Sequence, residues 1–366
     1  MVRLLSWLLF PITMWYAIVV KVRNVLYDLG VLHQHTHPVV TIGIGNLSTG
    51  GTGKTPMAEY IIDFLKDKYE TALLSRGYGR NSRGFVMHEG DTPFEENLSQ
   101  TMGDEVAMIT RRHPEITTAV CRNRHEGVNR LLSQEQPPRV IVLDDCFQHR
   151  TVKPTVNILL TPYRHPFYAD HILPFGNLRE PSSGYLRANI IVVTKSPRKV
   201  NALERHLIYT SLKAQSYQKV FFSYIDYGKP VSFADGRVCA LNDVRYLLCL
   251  TAIADSAPLL AELRCHGRKV DHLAFPDHHR FTRSDIVQLR QRFDAINSES
   301  KAIVTTEKDI ERLRAYAEEL ADLPIYYLPI SVGFYEDGGN SFSGTLLSLV
   351  KENISYLDRL KTAGMC

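Results

Sequence analysis

The chain lacks several features that would narrow its function at once. Its 366 residues carry a net charge of only +4. That excess does not call for nucleic acid as a partner, though it suits an anionic ligand or a membrane surface. The six cysteines, Cys121, Cys146, Cys239, Cys249, Cys265 and Cys366, are scattered and form no C-x-x-C pair. Neither a zinc site nor a disulfide framework is indicated, and a reducing cytosol is the natural home. There is no long internal repeat and no low-complexity tract. The apolar, charged and glycine contents are those of an ordinary globular protein, and the length allows two domains with separate cores.

Tryptophan is scarce, and both copies fall in one place. The stretch Leu4 to Val20, "LLSWLLFPITMWYAIVV", contains Trp7 and Trp15 and no charge; Arg3 precedes it, and Lys21 and Arg23 follow. No small-residue cleavage site follows the apolar run, so a cleaved signal peptide is not expected. It falls short of the roughly 20 apolar residues that a spanning helix needs, and Pro11 interrupts it. A buried core helix and a spanning helix stay open. An interfacial anchor fits the two indoles, Tyr16 and the flanking cations, which favour the headgroup layer and anionic lipid. Next comes "HQHTHP", with His33, His35 and His37 at alternate positions. A metal would need a fourth partner nearby, so a linker is the simpler reading.

From Val39 the texture becomes strand, helix, strand. "VVTIGIG", "TALLS", "TTAV", "RVIVLDD", "TVNILL" and "NIIVVTK" read as buried strands. Helical spacing lies between them, over Thr55–Lys68 and near Gly103–Arg112, Arg124–Ser133 and Val200–Ala214. Apolar strands alternating with helices predict an α/β fold, with a parallel sheet covered on both faces. Near residue 217 "KVFFSYIDYGKPVSF" reads as two strands around a Gly-Lys-Pro turn, a hairpin between domains. A second α/β series follows: "RYLLCLTAI", a helix over Pro258–Leu263, a strand near Val270–Phe275, a helix after Arg283, then "KAIVTT" and "IYYLPISV". The expected division is a helix over 1–37, a first domain over 38–216, a linker over 217–235 and a smaller domain over 236–366.

The strongest local signal is "GNLSTGGTGKTP", Gly45 to Pro56. A strand leads in, glycines follow, and Lys-Thr opens an amphipathic helix, the context of a phosphate-binding loop. Ser48, Thr49, Gly50, Gly51, Thr52, Gly53, Lys54 and Thr55 would form an anion-binding concavity aided by the helix dipole. Lys54 would reach the β- and γ-phosphates, and the Thr55 hydroxyl would bind Mg2+. Ser48 stands where G-x-x-x-x-G-K-[ST] has its first glycine. Gly50, Gly51 and Gly53 can supply the turn, as in a double-glycine variant. "RVIVLDD" ends on Asp144 and Asp145, carboxylates placed at a strand end to hold the metal. Guanine-specific loops carry [NT]-K-x-D. "TKSP" at Thr194–Pro197 and "TEKD" at Thr306–Asp309 both miss it, so ATP is expected rather than GTP.

Several motifs stand in one order: the glycine loop, "SRGYGR" (Ser75–Arg80), "GDE" (Gly103–Glu105), "DDCFQHR" (Asp144–Arg150), "LPFGNLREP" (Leu173–Pro181), "FPDHH" (Phe275–His279) and "VTTEKD" (Val304–Asp309). With the apolar N-terminus, the set resembles the tetraacyldisaccharide 4′-kinases of lipid A synthesis over nearly the whole chain. The resemblance implies two α/β/α sandwich domains, the first P-loop NTPase-like, joined by a two-stranded linker, with the active site in the cleft between them. It implies an amphipathic N-terminal membrane helix, and a peripheral enzyme on the cytoplasmic face of the inner membrane. Mg-ATP would phosphorylate the 4′-hydroxyl of a tetraacylated glucosamine disaccharide 1-phosphate. By resemblance Asp104 is the catalytic base and His278 its partner, with His279 an alternative. Arg124 lies near the transferred phosphate, and Glu180 near the metal and nucleotide. Arg76, Tyr78 and Arg80 line the substrate site. A membrane-associated regulatory ATPase is the rival reading. One departure is Thr251, where relatives tend to carry glycine, which puts close backbone packing there in question.

Overall fold

The computed structural model describes residues 2–95, 97–265, 267–277, 279–335 and 341–363, with side chains from residue 11 onward. Its helices are α1 (Val2–Asp28), α2 (Lys54–Leu65), α3 (Leu98–Met102), α4 (Asp104–Arg112), α5 (Arg124–Leu132), α6 (Ala202–Leu212), α7 (Ala257–Arg264), α8 (Arg283–Asp294), α9 (Glu307–Leu313), α10 (Ala317–Leu320) and α11 (Phe342–Thr362). Its strands are β1 (Val40–Asn46), β2 (Thr71–Ser75), β3 (Val86–His88), β4 (Thr117–Val120), β5 (Val140–Leu143), β6 (Val156–Pro162), β7 (Ile190–Thr194), β8 (Lys219–Tyr227), β9 (Val231–Ser232), β10 (Tyr246–Thr251), β11 (Lys269–Ala274), β12 (Lys301–Thr306), β13 (Ile325–Leu328) and β14 (Ile330–Phe334).

Among the described residues the strands form two sheets. The larger has nine strands in the order β14-β8-β7-β6-β1-β5-β2-β4-β3. Its middle seven run parallel, and β3 and β14 close the edges antiparallel. β1 is flanked by β5 and β6, so its C-terminal end opens at the point where the strand order reverses. In such sheets ligands bind there. Ile42 and Ile44 of β1 face a core shared with Met57 and Ile61 of α2, Val106 of α4 and Phe342, Leu346 and Val350 of α11. The opposite face is covered by Val128 and Leu131 of α5 and by Leu212 of α6. The smaller sheet, β11-β10-β12-β13-β9, has its own core, with Leu250, Ile286, Leu289 and Ile310 at its centre. The α/β class and the parallel sheet with two covered faces are as expected.

Two boundaries differ from the sequence reading. β8 and β9 do not form a hairpin. β8 pairs in parallel with β7 and antiparallel with β14, whereas β9 pairs with β13 in the other sheet. "IYYLPISV" is likewise two strands, because Pro329 cannot donate to a ladder. β13 before it belongs to the small sheet, β14 after it to the large one. The strands that link the sheets are therefore β8 and β14. They meet where Gly228 N–H donates to the Pro329 carbonyl at 2.8 Å. The second correction is that 236–366 is not one unit. β14 and α11 return to the first sheet, where Phe342, Leu346 and Val350 are fully buried, each burial contributing about 2 kcal/mol.

α1 is longer than its apolar run and continues through Pro11. Thr13 and Val20 are buried, while Ile12, Trp15, Ile18, Val19, Val22 and Val25 are exposed along one stripe. Among the described residues, no helix is long and apolar enough to cross a membrane. The histidine segment after α1 is held by packing. His35 stacks on His125 with ring centroids 3.7 Å apart, and His37 Nε2 lies 2.9 Å from His125 Nδ1. Burial, then the neighbouring His125 and His35, lowers the pKa of His37 to about 4. No group of three or more His, Cys, Asp or Glu side chains that could hold a metal ion occurs among the described residues. At Thr251 the hydroxyl lies 2.8 Å from His272 Nε2 on the neighbouring strand, so the side chain is accommodated.

Candidate active site

The phosphate loop leaves β1 and is braced from outside. Ser48 bridges antiparallel to Leu178, Thr49 N–H donates to the Asn177 carbonyl at 2.8 Å, and Arg179 N–H donates to Leu47 at 2.7 Å. The "LPFGNLREP" segment thus acts as an extra strand against the loop. Left-handed backbone occurs at Gly50 (φ 97) and Gly53 (φ 86), and Ser48 does not adopt it. That is why serine is tolerated at 48: the turn needs glycine two and five residues later. Thr49, Gly50 and Gly51 are exposed, Thr52 is buried, and the Thr52 carbonyl is held by the Thr194 hydroxyl at 2.8 Å. α2 then starts at Lys54 with no side-chain cap, so its first N–H groups are left for an anion.

Asp144 and Asp145 follow β5, the neighbour of β1. Asp145 is itself left-handed (φ 45), a strained conformation of the kind that gathers at functional sites. Its carboxylate meets Lys54 Nζ at 3.6 Å and accepts from Arg179 Nη1 at 3.3 Å. Burial works against its ionisation, but Lys54 and then Arg179 outweigh it, and its pKa is lowered. Asp144 is fully buried. Burial first, then the negative Glu105 and Asp145, pushes its pKa up to about 6. One oxygen accepts from Ser75 Oγ at 3.3 Å, while Oδ1 has no partner. A buried carboxylate oxygen without a donor, beside a second carboxylate, fits a hard cation such as Mg2+.

Glu180 does not fit the metal role expected of it. It is fully buried, and both oxygens accept from Arg187 Nη2 at 2.9 Å. Gln148 Nε2 donates to one at 3.0 Å and Asn24 Nδ2 of α1 to the other at 3.0 Å. Its lone pairs are taken, and it ties α1 to the loop that carries the acids. Arg124 is buried as well. It is 1% exposed, and its guanidinium donates to the carbonyls of Cys121 (2.6 Å) and Asp144 (2.9 Å). It supports the Asp144 backbone, close to both Asp144 and Asp145.

The second sheet faces this site through α9. Asp104 opens α4 directly after Gly103 (φ 89), where a Cβ would lie 2.6 Å from the Tyr78 carbonyl. "GDE" and "SRGYGR" are thereby held together. Arg76 and Tyr78 are exposed, whereas Arg80 donates to the Gly84 carbonyl at 2.7 Å within its own loop. Arg280 reaches from the second unit to the Gly79 carbonyl at 2.8 Å. His278 lies outside the described residues. His279 stacks on Phe275, and its Nε2 pairs with Asp285 at 2.9 Å, inside the cap of α8. The described partner of Asp104 is one that sequence reasoning missed: Arg312 Nε, at 2.7 Å. The signal was present, since Arg312 follows "TTEKD" at helical spacing from Asp309.

A strand, a glycine loop, an uncapped helix with Lys-Thr, and two acids directly after the adjacent strand define a P-loop nucleotide-dependent phosphotransferase. A family model described as Tetraacyldisaccharide-1-P 4′-kinase matches residues 5–350. The chain belongs to the tetraacyldisaccharide 4′-kinase family. It is 41% identical to the tetraacyldisaccharide 4′-kinase of Bacteroides thetaiotaomicron, covering 96% of this chain and 95% of that one. With the Flavobacterium johnsoniae enzyme of the same name the identity is 38%, covering 96% and 99%. Among solved structures, that of the Aquifex aeolicus enzyme in complex with ATP matches with a TM-score of 0.72 and 26% identity, covering 96% of this chain and 99% of that one.

Proposed function

We propose that the protein transfers the γ-phosphoryl group of Mg-ATP to the 4′-hydroxyl of a tetraacylated glucosamine disaccharide 1-phosphate, the lipid A precursor. The observation that carries this reading is the Lys54–Asp145 pair at the mouth of an uncapped helix, in a chain of this kinase family. Lys54 exchanges Asp145 for the β- and γ-phosphates, and the loop amides hold the phosphate oxygens. Thr55, Asp144 and Asp145 would hold Mg2+, which would neutralise charge on the phosphates. Asp104 accepts the proton of the attacking hydroxyl, with His278 assigned as its partner by family resemblance. Arg76 and Tyr78 are exposed for contact with the sugar or its 1-phosphate.

Incubation with ATP, Mg2+ and detergent-dispersed lipid should give a product carrying one more phosphate. ATP hydrolysis at one rate with or without lipid, and no lipid product, would instead support a regulatory ATPase. The exposed stripe of α1 supports docking on the cytoplasmic face of the inner membrane, so that the acyl chains need not leave the lipid. Trp15→Glu with Ile18→Glu should abolish co-flotation with anionic vesicles; retained flotation would place the docking surface elsewhere.

A further inference from the structure

Arg312 lies on α9, which belongs to the second unit, yet it ends on a carboxylate of the first. Its side chain is 5% exposed. Nε donates to Asp104 Oδ2 at 2.7 Å, while Nη1 donates to the Ala252 carbonyl and to Asp309 Oδ1, both at 3.1 Å. Asp309 is itself immovable. It is fully buried, and its Oδ2 accepts from Ala252 N–H at 3.0 Å and from the Thr306 hydroxyl at 2.8 Å. The guanidinium is therefore set by a buried framework at the C-terminal end of β10, before it meets Asp104. Around it the two helices exchange further charge pairs: Lys308 with Glu105 at 2.9 Å, Arg111 with Glu311 at 3.1 Å, and Arg112 with Glu307 at 3.3 Å. Those three pairs are more exposed on one side or both. Arg312 is the arginine of this interface whose partner carries the proposed proton transfer.

We infer that Arg312 is a positioning residue for the reaction: it fixes the rotamer of Asp104 by holding Oδ2, which leaves Oδ1 for the acceptor hydroxyl. A carboxylate at the start of a helix, one-third exposed, is otherwise free to turn about χ1 and χ2. A base must lie within hydrogen-bond reach of its proton, so a fixed rotamer raises the fraction of bound substrate in a reactive geometry. The planar guanidinium suits this better than an ammonium, because one edge binds the framework while Nε stays directed at the cleft. The assignment also links the units. Asp104 is correctly held only when α9 lies against α4. The inference rests on Asp104 being the base.

The test is a double-mutant cycle with Arg312→Gln, Arg312→Lys and Asp104→Ala, read as kcat and as KM for ATP and for lipid. Arg312→Gln should lower kcat by about tenfold or more, with both KM values within about twofold of the parent. Arg312→Lys should recover part of that loss. In the Asp104→Ala background, neither change at 312 should lower kcat further. A loss carried by KM for ATP, or losses that multiply in the double variant, would overturn the inference. So would unchanged kcat in Arg312→Gln while Asp104→Ala is inactive. If Asp104→Ala keeps its kcat, the base assignment itself is wrong and Arg312 has nothing to position. Should Arg312→Gln not fold, Arg312→Lys carries the same cycle: a kcat loss that vanishes without Asp104 supports the inference, and an unaltered kcat rejects it.

Discussion

Glu59 sits on the buried side of α2, one turn beyond the phosphate-loop lysine. One oxygen accepts from Arg112 at 3.2 Å, and the other has no partner. Burial outweighs the arginine and pushes its pKa from 4.5 up to about 8. Between those values the folded state holds a proton that the unfolded chain has released, so this group lowers stability as pH rises from about 4.5 to about 8. Glu59→Gln removes that slope. Its urea midpoint should match the parent near pH 5 and exceed it at pH 8. Equal slopes in both proteins would show that Glu59 ionises freely. Glu180 makes the contrast at the same scale. It is buried as deeply, but four donor contacts satisfy it, and burial without orphaned oxygens marks a structural tie.

At the scale of elements, β1 is built around its glycines. A Cβ on Gly45 would lie 2.5 Å from Phe147 Cβ and 2.9 Å from its backbone nitrogen. Phe147 is two residues past Asp145, so Gly45→Ala must displace the loop that bears the acids. It should cost about 1–3 kcal/mol and raise the Mg2+ concentration needed for half-maximal rate. A variant with the parent's melting point and Mg2+ dependence would show that the loop yields without cost. Elements of this kind were legible in the sequence. The apolar runs of β1, β5 and β7 and the Lys-Thr start of α2 are local signals, as is the acid pair after β5. Strand partners were not legible. Nothing within "IYYLPISV" says that the residues on either side of Pro329 join different sheets, because that depends on β8, a hundred residues earlier. α11 was legible in principle: Phe342, Leu346, Leu349, Val350 and Leu357 keep a helical spacing. The ties at Glu180 and Arg312 join segments far apart in the chain, and no spacing rule reports them.

Taken whole, the molecule is one α/β unit with a second inserted between β8 and β14. The insert, roughly residues 229–329, has its own sheet and core. Expressed alone, it should unfold cooperatively in urea; a gradual, non-cooperative loss of signal would mean that it depends on α4 and the first unit. Between the units, the charge pairs of α4 and α9 are partly exposed and weakened by salt, while the two chain crossings at Gly228 and Pro329 lie side by side.

Those adjacent crossings also set an order of events during synthesis. When β8 emerges from the ribosome its partner β14 does not yet exist, and the apolar face of β1 has no α11 over it. Both gaps persist while the whole insert is made, and they close only when β14 and α11 arrive. Until then the half-built sheet offers an unpaired strand edge and bare aliphatic surface to its surroundings. Pairing of β14 with β8 and docking of α11 over β1 are therefore the steps that complete the first sheet.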